Sequence, residues 1–247
     1  GRGLELRLGA RGDETGILVG GKSTLKLSES DISGTRETKN GTTTMIRSGR
    51  GGSVTFTNGT IRPGAGRETR GIDCTGSALV MKAVEIESGA GSSESAGVYA
   101  ADSEVSLANC TLTGKAGSAL TFAVKSDDST LTIEGSLIRP DAEIGATGVY
   151  ARGGRVDIFD STFDTPEEIR ADFVSALKLD SITGRVFNSI FLAETDVDFI
   201  TVDLSSSSVI FSNNTCVLDL SSSRSSAMRI RGDRGSAIIN NIFADPS

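Results

Sequence analysis

The segment Gly-Ser-Val-Thr-Phe-Thr-Asn-Gly-Thr-Ile-Arg-Pro-Gly, from Gly52 to Gly64, sets the pattern for the whole chain. Val54 and Phe56 alternate with polar residues, as a β-strand with one buried face requires. Asn58 and the glycine after it tolerate a left-handed backbone, so the chain bends there before Ile61 returns an apolar side chain to the interior. The segment therefore predicts two short strands joined by a tight corner.

Eight further segments repeat this pattern at intervals of 25 to 29 residues. The inward apolar residue of each copy is Leu27, Phe56, Met81, Leu107, Ile133, Ile158, Val186, Phe211 or Ile238. The corner residue two positions later is Glu29, Asn58, Ala83, Asn109, Gly135, Asp160, Asn188, Asn213 or Asn240. A fixed period of this length predicts a solenoid, in which each repeat buries its apolar face against its neighbours. The unbroken repeat indicates a single domain over residues 1–247.

The corner column, which is rich in asparagine, resembles the stacked asparagines of right-handed parallel β-helices of the pectin lyase-like type. This resemblance implies an all-β fold, a right-handed single-stranded parallel β-helix of about nine three-strand coils. It also implies that the asparagines line the bend between the second and third strands. Stacked amides in these bends should hydrogen-bond along the stack, so replacing Asn109 or Asn213 by Ala should cost about 1 to 3 kcal/mol by leaving buried partners unpaired.

Neither end of the sequence shows a helix that would cover the last coil. We therefore expect a portion of a longer protein or a β-helix without end caps, and end-to-end self-association is one way to cover its open edges. The N-terminus shows no signal peptide. Because β-helices of this type are commonly exported, the resemblance implies an extracellular or cell-surface location.

Composition excludes several classes of partner and site. The net charge of -7 leaves no basic stripe for a nucleic acid. No run of eighteen apolar residues occurs, so no transmembrane segment is predicted. The three cysteines, Cys74, Cys110 and Cys216, show neither disulfide nor metal spacing and are predicted to be small buried apolar residues.

Catalytic residue types are scarce. The chain has no histidine, which removes Ser-His-Asp and Cys-His arrangements and imidazole metal sites. Asp127-Asp128 resembles the double aspartate of polygalacturonase-type β-helix hydrolases, but the His-Gly and Arg-Ile-Lys motifs of that family are absent. The pair could offer oxygen ligands to calcium, yet the glycine-rich nonapeptide of calcium-binding β-rolls is also absent. We therefore predict no metal and no cofactor, assign no catalytic residue, and favour a protein that is not an enzyme.

One outward column on the first strands is the candidate ligand site. It lies six residues before the first inward residue of each second strand and consists of Asp73, Tyr99, Lys125, Tyr150, Lys178 and Asp203. Tyr99 and Tyr150, two coils apart, should be separated by about 9.6 Å at about 4.8 Å per coil, a distance that matches two sugar units. In pectate lyase-like enzymes, which this fold resembles, the substrate groove runs over this face. The alternative is an ordinary exposed strand face.

If a glycan binds here, we expect its rings to rest on the two tyrosines. Lys125 and Lys178 would then pair with uronate carboxylates, so an acidic glycan is preferred. Asp73 and Asp203 lie about five coils apart, roughly 24 Å, whereas two-carboxylate hydrolysis needs its acids within about 10 Å. Elimination assisted by a lysine is therefore the only chemistry that this column supports.

Two Arg-Gly-Asp triplets are candidate adhesion turns: Arg11-Gly12-Asp13 and Arg231-Gly232-Asp233. Such triplets are typical of integrin-binding loops, although turns favour Gly and Asp in any case. The repeat, with its Gly-Val-x-Ala strands and such turns, also resembles the passenger domains of bacterial adhesins of the pertactin kind.

Two classes of function remain. The first is a non-catalytic extracellular or surface β-helix that presents loops for binding or adhesion, with a polysaccharide or a host or cell-surface protein as its partner. The second is a polysaccharide lyase or glycoside hydrolase that acts on an acidic glycan along the first-strand face.

Overall fold

The computed structural model describes residues 13–34, 38–115, 120–166, 171–195, 197–220 and 225–244. These residues contain no helix, and their strands pair in parallel with the equivalent strand of the next coil. The chain is a parallel β-helix, as predicted. The strands are β1 (Glu14–Val19), β2 (Thr24–Ser33), β3 (Thr38–Ser48), β4 (Ser53–Arg62), β5 (Gly66–Thr75), β6 (Ala78–Glu87), β7 (Gly91–Ala101), β8 (Glu104–Ala108), β9 (Thr111–Thr113), β10 (Leu120–Glu134), β11 (Leu137–Arg139), β12 (Gly145–Phe159), β13 (Thr162–Thr165), β14 (Phe173–Asp180), β15 (Thr183–Phe187), β16 (Ile190–Thr195), β17 (Asp198–Ser205), β18 (Ser208–Ser212), β19 (Thr215–Leu220), β20 (Ser226–Arg231), β21 (Ala237–Ile239) and β22 (Ile242–Ala244).

The strands form three continuous parallel stacks. First strands stack in the order β1, β3, β5, β7, β10, β12, β14, β17 and β20. Second strands stack as β2, β4, β6, β8, β10, β12, β15, β18 and β21. Third strands stack as β2, β4, β6, β9, β11, β13, β16, β19 and β22. We number the nine rungs 1 to 9 in chain order, and eight turns separate the first from the last.

The predicted inward column forms the core of the β-helix. Its members from Phe56 to Phe211 are completely buried. Leu27 in rung 1 is half-buried and Ile238 in rung 9 is 46% exposed. These two residues lie in the outermost described rungs, and the described residues supply one neighbouring rung to pack against each of them.

Two left-handed corners shape each coil. The predicted corner column, between the second and third strands, has φ between 49° and 57° at all nine positions, which confirms its conformation. A second left-handed column, not predicted, joins the first and second strands with φ between 47° and 76°. Its members are Gly21, Gly51, Gly76, Asp102, Asp128, Gly153, Ser181, Ser206 and Gly232.

The predicted hydrogen bonds along the corner stack are present in two pairs, from Asn188 Nδ2 to Asp160 Oδ1 and from Asn240 Nδ2 to Asn213 Oδ1. The prediction that these groups are buried is wrong. Asn109 and Asn213 are exposed, because the residue at the apex of the corner points away from the core. The inward polar ladder lies one residue later; its members are buried except for the last, Asn241, which is half-buried. Its side-chain oxygens each accept the backbone N–H of the equivalent residue in the preceding rung, and its members are Ser136, Ser161, Ser189, Asn214 and Asn241.

The three cysteines are free and buried, as predicted. Burial raises the pKa of the Cys74 and Cys216 thiols to about 12.

Nowhere in the described ranges is there a helix with the length and apolar character needed to cross a membrane.

Candidate functional site

The predicted outward column on the first strands is a continuous ladder in the structure. Strand register aligns Asp73, Tyr99, Lys125, Tyr150, Lys178 and Asp203 in rungs 3 to 8. The register also adds Arg47 in rung 2 and Arg229 in rung 9. A count of six residues misses both, because the connection to the second strand is one residue longer in those two rungs. We call these eight residues the first-strand ladder.

Asp73 is held by two arginines at the start of the ladder. The residue is only 5% exposed, and Arg70 Nη1 donates to its Oδ2 over 2.9 Å. Arg47 Nε lies 3.4 Å from the same oxygen. The carboxylate is therefore neutralised within the protein, so its interaction with a bound ligand would compete with both arginines.

The Tyr99 ring is covered by a neighbouring cation. The Arg70 guanidinium carbon lies 4.1 Å from the ring centroid, and Lys125 Nζ lies 5.9 Å from it. The Tyr99 hydroxyl donates to Asp127 Oδ2 over 3.4 Å. Burial, followed by the charge of Asp127, raises the pKa of Tyr99. The hydroxyl stays protonated at neutral pH, and the ring is not an open platform of the kind the sequence suggested.

Tyr150 has a similar environment two rungs later. Lys178 Nζ lies 5.5 Å from its ring centroid, and the Phe122 ring packs against it at 5.7 Å with a tilt of 39°. Lys125 Nζ is bound by Glu94 and lies 5.2 Å from the Phe122 ring. Outward side chains on adjacent rungs are only about 4.8 Å apart. They therefore stack on one another and present edges and polar tips to a ligand.

Asp203 lies under two arginines at the other end of the ladder. It is 2% exposed, and Arg229 and Arg231 both donate to its carboxylate. Burial acts to raise the pKa of Asp203, but hydrogen bonding by Arg229 and the charges of Arg229, Arg231 and Lys178 lower it overall. Asp203 is thus held in its carboxylate form at neutral pH by the arginines, and it is not suited to donate a proton there.

A cleft of about 330 Å³ opens beside the last ladder residues. Lys178 and Arg229 contribute its cationic side chains, Asp198 and Asp203 its carboxylates, and Phe173 and Ile200 its apolar walls. Phe173 is 46% exposed. The cleft is large enough for a ligand of small-molecule size.

Several partners of the ladder were missed by the sequence interpretation. Asp127 lies two residues after Lys125, so strand alternation could have found it. Arg70 lies three residues before Asp73. Gly71 and Ile72 between them are both buried, so the alternation of inward and outward residues is interrupted there. No count with a period of two would identify Arg70.

The described residues of the two Arg-Gly-Asp triplets are not brought together, because Asp13 precedes β1 in rung 1 and the second triplet follows β20 in rung 9. Arg11 and Gly12 lie outside the described residues, and Asp13 accepts the backbone N–H of Thr42 over 2.8 Å. In the second triplet, Arg231 binds Asp203, Gly232 occupies a left-handed corner, and Asp233 accepts the backbone N–H of Ser236 over 2.9 Å. The polar groups of that turn already have partners within the protein.

The described part of the chain contains no group of three or more Cys, Asp or Glu residues that could hold a metal ion.

Comparisons of the chain with protein-family models, with curated proteins and with solved structures give no match. The pectin lyase-like resemblance therefore rests on the sequence pattern, and the general parallel β-helix fold is consistent with it.

Proposed function

We propose that this protein is a non-catalytic, extracellular or cell-surface β-helix of the pectin lyase-like type that binds an acidic polysaccharide along the first-strand ladder. The observation that supports this proposal is the unbroken succession of Tyr99, Lys125, Tyr150 and Lys178 in four adjacent rungs. A repeating polymer needs a repeating surface. The ladder offers one ammonium group and one tyrosine hydroxyl in every two rungs.

The covered tyrosine rings change how a glycan would lie. Sugar hydroxyls would meet the tyrosine edges and hydroxyls. Uronate carboxylates would meet the ammonium group of Lys178 and would compete with Glu94 for that of Lys125. The cleft beside Lys178 would hold one sugar unit between Phe173 and Ile200. Each contact is weak by itself, so affinity would come from engaging several rungs at once.

The charge arrangement supports binding over catalysis. An elimination base must accept a proton, but Lys125 is ion-paired with Glu94, and an ammonium group has donors and no acceptor. A hydrolase acid must carry a proton, but the pKa of Asp203 is lowered. Neither group is suited to its step in the alternative function, a polysaccharide lyase or glycoside hydrolase.

A glycan array with acidic and neutral polymers tests the proposal. The Lys125→Ala, Lys178→Ala double variant should lose binding to acidic glycans. The matched control is Lys26→Ala, Lys82→Ala, because both of these lysines are exposed on the second strands, away from the ladder. Binding that survives the ladder variant, or a preference for neutral glycans, contradicts the proposal. Release of unsaturated uronates in the presence of calcium would instead support the lyase.

A further inference from the structure

The exposed asparagines of the second corner fall into two groups by the residues that follow them. In rungs 2, 4 and 8 a threonine lies two residues after the corner, in Asn58-Gly59-Thr60, Asn109-Cys110-Thr111 and Asn213-Asn214-Thr215. In rungs 7 and 9 an isoleucine takes its place, in Asn188-Ser189-Ile190 and Asn240-Asn241-Ile242. An Asn with Ser or Thr two residues later, and no Pro between, is the acceptor sequence for N-linked glycans. Three of the five corner asparagines therefore carry this sequence.

The side-chain amides of the two groups differ in their hydrogen bonds. Asn188 Nδ2 donates to Asp160 Oδ1, and Asn240 Nδ2 donates to Asn213 Oδ1 over 2.6 Å. The described residues offer no hydrogen-bond partner to the Nδ2 atoms of the other three, Asn58, Asn109 and Asn213. A glycan is attached to asparagine through this nitrogen. The free amides are therefore those of the acceptor sequences, and the amides outside them are already bonded.

The left-handed corner points the acceptor groups to solvent. The φ angles at Asn58, Asn109 and Asn213 are 51°, 53° and 55°. These asparagines are exposed and the threonines two residues later are half-buried, whereas Cys110 and Asn214, which lie between them in rungs 4 and 8, are buried. A substituent on Nδ2 therefore extends into water and leaves the packing of the core unchanged.

The acceptor sequences at the corner never lie in adjacent rungs. Neighbouring corners are about 4.8 Å apart, so the asparagines of rungs 2 and 4 are about 9.6 Å apart and those of rungs 4 and 8 about 19 Å apart. Rungs 7 to 9 hold three corner asparagines side by side, but only the middle one, Asn213, has the threonine. Each glycan would thus have its own space along the corner.

Exposed apolar side chains flank Asn213. Phe187 and Ile190 belong to rung 7 and Ile239 to rung 9, and they are 40%, 43% and 53% exposed. Sugar rings have apolar faces that pack on such side chains. The first sugars of a glycan on Asn213 would therefore remove apolar surface from water.

We propose that Asn58, Asn109 and Asn213 are N-glycosylation sites, selected by their free amides, and that their glycans form a row along the second corner. Attachment joins Nδ2 to the anomeric carbon of the first sugar and breaks the bond from this carbon to the pyrophosphate of a lipid-linked oligosaccharide donor. The amide gives up one proton in this step. The inference rests on the extracellular location in the proposed function, because such sites are used in secreted proteins. It is independent of polysaccharide binding, because the first-strand ladder belongs to another strand stack.

Secretion from a eukaryotic host, behind a signal peptide, tests the three sites. Peptide N-glycosidase removes such glycans and leaves Asp in place of each modified Asn, so the gel shift counts the glycans and peptide mass spectrometry assigns them. We expect a glycan on each of the three corner asparagines. A further acceptor sequence, Asn40-Gly41-Thr42 in β3, is distinguished by its peptide mass. Thr60→Val, Thr111→Val and Thr215→Val should each remove one glycan, whereas the matched changes of these threonines to Ser should keep all three.

A new acceptor sequence tests whether the free amide selects the sites. Ile190→Thr creates one at Asn188, whose Nδ2 is bonded to Asp160 and which is adjacent to Asn213. The secreted, folded variant should carry less glycan on Asn188 than on Asn213. Two outcomes overturn the proposal: the three corner asparagines are unmodified in the secreted protein, or Asn188 in the variant is modified as fully as Asn213 with unchanged circular dichroism. Neither readout involves binding to acidic polysaccharides, so a failure of the proposed function would be seen separately.

Discussion

The backbone N–H of Ser189 donates over 2.9 Å to Oδ1 of Asn214, which belongs to the next rung. The Asn214 amide also donates from Nδ2 to the carbonyl oxygen of Val186 over 3.0 Å. One buried side chain thus satisfies a donor and an acceptor of the preceding coil. It holds two rungs together at the second corner.

Replacing Asn214 by Ala should lower the free energy of unfolding by about 1 to 3 kcal/mol, because it leaves these buried backbone groups without partners. Asn214→Ser should cost less, since serine already occupies this position in rungs 5 to 7. Urea unfolding followed by circular dichroism measures both. Unchanged stability in Asn214→Ala would show that these hydrogen bonds contribute nothing.

The inward column is more deeply buried in the inner rungs than in rung 1, and two matched substitutions measure the difference in stability. Leu107→Ala, in the buried inward column of rung 4, should cost about 2 to 5 kcal/mol. Leu27→Ala removes the same side chain from the same column in rung 1, where it is half-buried, and should cost less. Chemical denaturation compares the two variants directly. A larger loss for Leu27→Ala would contradict the assigned order of the rungs.

Acid should weaken the protein through Asp157 and Asp203. Burial acts to raise the pKa of both carboxylates in the folded state, but hydrogen bonds from arginines and the positive charges of these arginines lower it overall. Their contribution to stability is therefore complete above the unfolded aspartate pKa of about 3.9 and is lost as the pH falls through the lower folded pKa. Asp203→Asn should reduce stability at pH 7 and flatten its decline in acid, as urea titrations at several pH values would show. A decline as steep as that of the unmodified protein would refute the role of Asp203.

The reactivity of the cysteine thiols should show that the core is closed to solvent. Cys74 and Cys216, whose pKa values are about 12, should not react with an aromatic disulfide reagent at pH 8 in the folded protein. In denaturant the thiols become accessible and should react within the mixing time of the assay. Rapid reaction of either thiol without denaturant would mean that its coil opens to solvent.

The sequence was sufficient to predict the fold because its corners are chemically restricted. Few side chains accept a left-handed backbone, so asparagine, aspartate and glycine recur at the second corner and reveal the period. The first corner uses Gly, Asp and Ser with less regular spacing from the strands. That corner was therefore missed, although its backbone is equally left-handed.

Only part of the candidate site could be predicted in the same way. Counting along the strands placed Tyr99 and Lys125 side by side in neighbouring rungs. The count works because residues at the same distance from the second strand pair with each other in parallel register. Counting could not show that Arg70 covers the Tyr99 ring, because a rotamer at the surface depends on side chains from other coils. Functions of the ladder, including glycan binding, stay predictions.

The spacing between the two left-handed corners has a consequence for how such a chain can change in length. The corners are seven residues apart in rungs 2 to 8, as from Gly51 to Asn58, and eight apart in rungs 1 and 9. The remaining part of each coil, from the second corner to the first corner of the next rung, varies from 18 to 22 residues. One arc of the coil is therefore nearly constant in length, and the rest is adjustable. A foreign peptide inserted after a third strand should leave every ladder in register, whereas a residue added between the corners must be absorbed between the first corner and the second strand, as it is in rungs 1 and 9.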